Sequence, residues 1–193
     1  MKIIKFLFLV LCSHIASAQE YFDGYIITLN NDTLHGRVMD RAKVHLSPLI
    51  KIRFKSDRGK KKKYKRKKLL GYKIDGKTFE AIWVEATMRN FRTTYTIRPG
   101  VGERLFLRVV EKGPLIYYQE EFQSEPSSTI FNADYLRISG RSSMVRATQG
   151  IVGLKRKRLA EYFRDCSELV AKIENKEIDT IREIIDFYSV NCK

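Results

Sequence analysis

The chain has 193 residues, with 37 Lys and Arg against 22 Asp and Glu and a formal charge of +15. This length can bury an ordinary core, which excludes a miniprotein that depends on disulfides to fold. The charge is also not general: residues 51–68 hold twelve Lys or Arg and one acid, Asp57. A near-neutral body with one basic element implies a localised anionic partner or surface.

Residues 1–18 read as a secretory signal peptide. Lys2 and Lys5 make a positive start, Ile3 to Leu11 an apolar stretch, and Ala16-Ser17-Ala18 a small-x-small site cleaved between Ala18 and Gln19. The stretch is far below the roughly 20 residues that span a bilayer. Leu11 before Cys12 fits a lipoprotein signal poorly, so lipidation at Cys12 is the weaker alternative. The product is expected outside the cytoplasm: periplasmic, associated with the outer membrane, or secreted. No later apolar run is long enough for a transmembrane helix, so no membrane span is expected.

From residue 22 the chain reads as successive hairpins. Gly24–Leu29 and Thr33–Met39 flank the turn Asn30-Asn31-Asp32. Ile50–Lys55 pairs with Lys60–Lys68 around Asp57-Arg58-Gly59, a three-residue loop with Gly in the left-handed position. That register places Ile52 opposite Tyr64 on an apolar face. On the other face it places Lys51 opposite Lys65, Arg53 opposite Lys63 and Lys55 opposite Lys61. Asp75-Gly76 turns Leu69–Ile74 into Thr78–Val84. Residues 91–97 form a further strand, and Arg104–Val110 returns through Lys112-Gly113-Pro114 as Leu115–Phe122. After a loop at 123–128, Thr129–Ile138 is one more strand.

Beyond Gly150 the period changes. Leu159, Tyr162, Phe163, Cys166, Leu169, Val170 and Ile173 recur at helical spacing, as do Ile178, Ile181, Ile184, Ile185 and Tyr188. A break near Glu174-Asn175-Lys176 separates them. Cys166 and Cys192 are the only cysteines after residue 18. In an oxidising compartment they are expected to form a disulfide stapling the helices, the alternative being two free thiols.

Several segments carry a resemblance. Gly24-Tyr-Ile-Ile-Thr-Leu-Asn-Asn-Asp-Thr33, Gly71-Tyr-Lys-Ile-Asp-Gly-Lys-Thr-Phe79, Phe106-Leu-Arg-Val-Val-Glu-Lys-Gly-Pro114, and Asp165-Cys-Ser-Glu-Leu-Val-Ala-Lys-Ile173 with Cys192 together resemble a family of uncharacterised exported proteins of Bacteroidota. The resemblance implies an envelope protein of a Gram-negative bacterium, with no activity and no catalytic residues attached. The basic run at 60–68 departs from the mixed hairpin of that family.

Motifs with chemistry are weak. Gly71 to Thr78 matches a P-loop pattern, but Lys65 to Lys68 stand where a buried strand should precede it, and Asp75 would lie beside the phosphates. His35 and His45 have no partner at metal-ligand spacing. There is no Gly-x-Ser-x-Gly elbow. Catalytic residues, metal ligands and cofactors are therefore all expected to be none.

The basic hairpin asks for a role, because like charges opposite one another destabilise a ladder. An anion-binding surface is expected from Lys51, Arg53, Lys55, Lys60, Lys61, Lys62, Lys63, Lys65, Arg66, Lys67 and Lys68. Its partners would be anionic lipid, lipopolysaccharide or acidic polysaccharide. Nucleic acid ranks low, since Tyr64 is the only aromatic available for stacking. The plainer alternative is a solvated edge whose lysines block aggregation.

The expected architecture is α+β. It has an antiparallel meander or open barrel over 19–148, and a disulfide-clipped helical segment over 149–193 covering one end. The core is drawn from Trp83, Phe91, Phe106, Leu107, Ile116, Phe131 and the helix faces. The expected function is a non-catalytic envelope protein. A structural or assembly subunit bound to an envelope partner is the alternative, and an envelope hydrolase ranks third.

Overall fold

The long strand Lys77–Arg89 (β6) organises the molecule, because it takes three partners. The computed structural model describes residues 21–39, 51–123, 130–148 and 153–192. The signal segment with its Ala18–Gln19 site, Cys12, His45 and the side chain of Phe131 lie outside the described residues.

The first five strands are Phe22–Thr28 (β1), Thr33–Met39 (β2), Lys51–Ser56 (β3), Lys61–Lys65 (β4) and Leu69–Ile74 (β5). After β6 come Arg92–Ile97 (β7), Glu103–Glu111 (β8), Leu115–Gln123 (β9), Ile130–Ile138 (β10) and Ser143–Arg146 (β11). All described pairings are antiparallel. One edge of β6 pairs β5 through Lys77–Glu80 and β7 through Val84–Arg89. Its other edge pairs β8 from Thr78 to Val84. Strands β6, β7, β11, β10, β9 and β8 thus close into a six-stranded barrel, while β5, β1, β2, β3 and β4 extend the sheet away from it. Closure removes the open edges that an isolated meander would expose.

The alternation of side chains sorts two cores across the β6–β8 wall. Ile82, Val84, Leu107, Ile116, Tyr118, Ala133, Tyr135 and Met144 fill the barrel. Phe79 and Phe106 point the other way and pack with Ile26, Val38, Ile52, Phe54, Leu69, Tyr72 and Ile74 of the extension. Tyr72 stacks on Phe79 at 4.6 Å and meets Phe106 edge-on at 4.9 Å. Each such fully buried side chain contributes on the order of 2 kcal/mol.

Three helices follow: Arg156–Tyr162 (α1), Ser167–Glu174 (α2) and Ile181–Asn191 (α3). The α+β class stands, but the helices lie against the outer wall of the barrel rather than over its end. Leu115, Leu136 and Val145 alternate outward from β9, β10 and β11, and that apolar wall packs on Leu159, Phe163, Leu169, Ile173, Ile184 and Ile185. The Tyr162 hydroxyl accepts from the Ile138 N–H and donates to the Ser143 carbonyl, anchoring α1. The expected helical run from Leu159 to Ile173 is broken at Cys166, which becomes the N-cap residue of α2. The Cys166–Cys192 disulfide joins that cap to the C-cap of α3.

Two core expectations need correction. Phe91 is fully exposed, because it sits at the tip of the β6–β7 hairpin with φ +58°. Trp83 is half-buried, with Arg104 and Lys67 over its ring. Phe106, Leu107 and Ile116 are buried as expected.

Candidate anion-binding surface

The β3–β4 ladder has the register that the alternation and the Gly59 loop imply. Lys51 stands opposite Lys65, Arg53 opposite Lys63, and Lys55 opposite Lys61. Ser56 N–H donates to the Lys60 carbonyl, and Gly59 takes φ +79°, closing the loop over Asp57-Arg58-Gly59. Ile52 and Phe54 face the core, so the three basic pairs face outward.

Each pair sets two unit charges across neighbouring strands, a repulsion of roughly 0.5–1 kcal/mol in water. Arg37, opposite Lys55 on β2, adds a seventh position to the patch edge, partly offset by Asp23 at 3.8 Å. Sequence reasoning missed Arg37. The signal was Val38, whose burial in the extension core sends its neighbour outward.

The remaining residues of the run do not share that face. Lys62 lies opposite Phe54 on the apolar side, its ammonium 4.9 Å from the Tyr64 ring centroid. β4 is the last strand of the sheet among the described residues, so Lys62 charges its edge. Lys60 is exposed at the loop. Arg66, Lys67 and Lys68 leave the strand as a 3-10 turn packed on β8. Arg66 is ion-paired with Glu103, and its side chain is only 15% exposed. The Lys67 ammonium lies 5.6 Å from the Trp83 ring centroid, and the Lys67 carbonyl accepts from Arg104 at 3.4 Å. Arg104 itself is buried and also donates to the Ala81 carbonyl. The basic run is therefore two things: an outward face on β3–β4, and a docked end that ties the extension to the barrel.

The P-loop-like segment is a β-hairpin. Asp75 and Gly76 take φ +47° and +73°, the two left-handed positions of a type I′ turn. At Gly71 a Cβ would come within 2.5 Å of the Phe79 carbonyl oxygen, so this glycine serves close strand approach. His35 packs edge-on against Tyr25. Among the described residues no group of three or more His, Cys, Asp or Glu could hold a metal ion, and no helix is long and apolar enough to cross a membrane.

Two half-buried carboxylates lie on the inner face of the barrel. Glu120 accepts from the Tyr135 hydroxyl at 3.1 Å. Burial pushes its pKa up, more than the Tyr135 hydrogen bond and nearby Arg146 and Arg66 pull it down. Glu80 accepts from the Tyr118 hydroxyl and pairs with Lys112 at 2.7 Å. Tyr118 and Tyr135 are themselves raised, first by burial and then by these carboxylates.

Comparison with known proteins adds no relative: no protein-family model, no curated protein and no solved structure matches the chain.

Proposed function

We propose that this chain is an exported, non-catalytic protein of the cell envelope that contacts an anionic surface through the outward face of its β3–β4 hairpin. The contact residues are Lys51, Arg53, Lys55, Lys61, Lys63 and Lys65. The surface would be phosphate-bearing lipid, lipopolysaccharide or acidic polysaccharide. One observation carries the reading: three like-charged cross-strand pairs stand on one solvent-facing side of a two-stranded ladder. A ladder that only needed solubility would gain more from mixed charges, which attract rather than repel at these positions. A bound anionic surface relieves all three repulsions together. Export is supported by the N-terminal segment and agrees with a disulfide between the helices.

The test is binding of the chain from Gln19 to vesicles with and without anionic lipid. Replacing Lys55, Lys61, Lys63 and Lys65 by Gln should abolish binding and leave the fold intact. Equal binding by the quadruple variant contradicts the reading.

A further inference from the structure

A second cationic site lies on other strands, and none of its residues belongs to the hairpin. Strand β11 pairs with β7 only at Ser143–Thr96 and Met144–Tyr95. Past Tyr95, β7 continues with β6 alone, while Arg146 continues with Tyr135 of β10. The barrel wall splits there, and α1 borders the split. The result is a groove of about 370 Å³.

Arg146, Lys155 and Arg158 all line this groove. The Arg146 Nε is buried without a hydrogen-bond partner among the described residues. Lys155 is partly buried, and desolvation together with the charges of Arg146 and Arg158 lowers its pKa. Counter-charge is thin. Glu161 is shared between Arg158 at 3.5 Å and Arg92 at 3.6 Å. Glu120 faces Arg146 from inside the barrel, but it is shared with Arg66 and accepts from the Tyr135 hydroxyl. Half-buried cations set side by side are unfavourable without an anion. Thr93, Thr96 and Ser143, which carry hydroxyls, also line the groove.

The rim is apolar. Phe91 lines the groove and is fully exposed. Asn90 and Phe91 take φ +48° and +58°, and the second position of this turn favours Gly, so a Phe there is strained. Met88, opposite Thr93 on the same arm, is 73% exposed. A strained, solvent-exposed aromatic does nothing for the folded chain alone. Beside three cations it makes an amphipathic cleft.

We infer that this groove binds the phosphate head of an anionic lipid, with Arg146, Lys155 and Arg158 on the phosphate and Phe91 against the acyl chain. Paired cations and hydroxyl donors suit a phosphate, and exposed apolar residues beside them suit the headgroup–acyl boundary.

The experiment is titration calorimetry of the chain from Gln19 with dihexanoyl phosphatidic acid, dihexanoyl phosphatidylcholine and inorganic phosphate. Phosphatidic acid should bind at least about tenfold more tightly than either control, since only it offers both charge and chain. Lys155→Met with Arg158→Gln should weaken it at least about tenfold. Phe91→Gly should weaken it several-fold while leaving Tm unchanged or raised, since glycine relieves the turn. That variant keeps the test decisive should the double variant unfold. The quadruple Gln variant of the β3–β4 lysines should bind phosphatidic acid normally, which separates this site from the hairpin surface. Equal affinity for inorganic phosphate, full affinity in the double variant, or a lower Tm with unchanged affinity in Phe91→Gly would each overturn the inference.

Discussion

Arg66 is ion-paired with Glu103, 37 residues away on the first strand of the barrel's returning hairpin. This contact turns the end of a basic run into a structural anchor. Lys67 follows against Trp83, and its carbonyl is held by Arg104. The lysines before Arg66 alternate across a two-stranded ladder instead. The same composition therefore serves two purposes within nine residues, divided where β4 gives way to the 3-10 turn.

The outward lysines should be a burden on the isolated fold. Replacing Lys55, Lys61, Lys63 and Lys65 by Gln removes at least one partner from all three repulsive pairs. Tm should rise at low salt, by the equivalent of about 1–2 kcal/mol, and the gain should shrink at high salt as screening removes the repulsion. Thermal melts of both proteins across a salt series check this. A fall in Tm would mean that these lysines support the ladder.

Arg104 should matter more than Arg66. Arg104→Met leaves the carbonyls of Ala81 and Lys67 without their donor. The expected loss is about 2–3 kcal/mol, since both acceptors sit in a part-buried setting. Arg66→Met breaks an ion pair whose carboxylate is largely exposed, and about 1 kcal/mol or less is expected. Urea unfolding of the two variants gives the comparison, and an equal cost would contradict the assignment of Arg104 as the principal clamp.

Glu120 makes a pH prediction. Its folded pKa is raised, chiefly by burial, so the folded state holds a proton more tightly than the unfolded state. Stability then falls as pH rises from the ordinary carboxylate range through the raised folded value, and it is regained on acidification through that window. Glu120→Gln removes the desolvated charge and keeps an acceptor for the Tyr135 hydroxyl. It should raise stability at neutral pH and flatten the mildly acidic part of the profile. Glu183 works in the opposite sense. Backbone N–H groups of Asp179 and Thr180 hold its pKa down, so its support of the α3 capping box is present above the ordinary range and is lost as pH falls through the lowered value. Unfolding at several pH values, with and without Glu120→Gln, separates the two.

The disulfide closes a loop with a sequence separation of 26. In the chain-entropy model this contributes roughly 3.5 kcal/mol. The Cys166→Ala, Cys192→Ala variant should lose about that much, as should the wild type under reduction. Equal denaturant midpoints with and without reductant would show that helix packing alone holds α2 and α3.

Much of this was legible from local pattern. The β3–β4 register follows from two short-range signals, the alternation of Ile52 and Phe54 with charged residues and the Gly59 loop. The Asp75-Gly76 turn is equally local. What escaped the sequence depends on distant contacts or unusual turns. The β6–β7 turn carries Asn90-Phe91 where a glycine signal would be expected, so local pattern ends β6 at Val84 and assigns Phe91 to the core. The four residues of β11 are too short and mixed to stand out, yet they complete the barrel. The outward apolar wall of β9–β11 becomes visible only with the strands in register, so local pattern cannot tell the barrel's side from its end as the seat of the helices. In the candidate surface, the cross-strand pairs were readable. The docking of Arg66 and Lys67 was not, because Glu103 and Trp83 lie far along the chain.

The most direct test of the proposed surface is sedimentation of the chain from Gln19 with lipid A-containing vesicles and with neutral vesicles across a salt series. Binding to the anionic vesicles alone is expected, falling steeply as salt rises through the physiological range, and lost in the Lys55, Lys61, Lys63, Lys65 to Gln variant. Binding that ignores salt, or that is absent at low salt, would contradict the proposed surface.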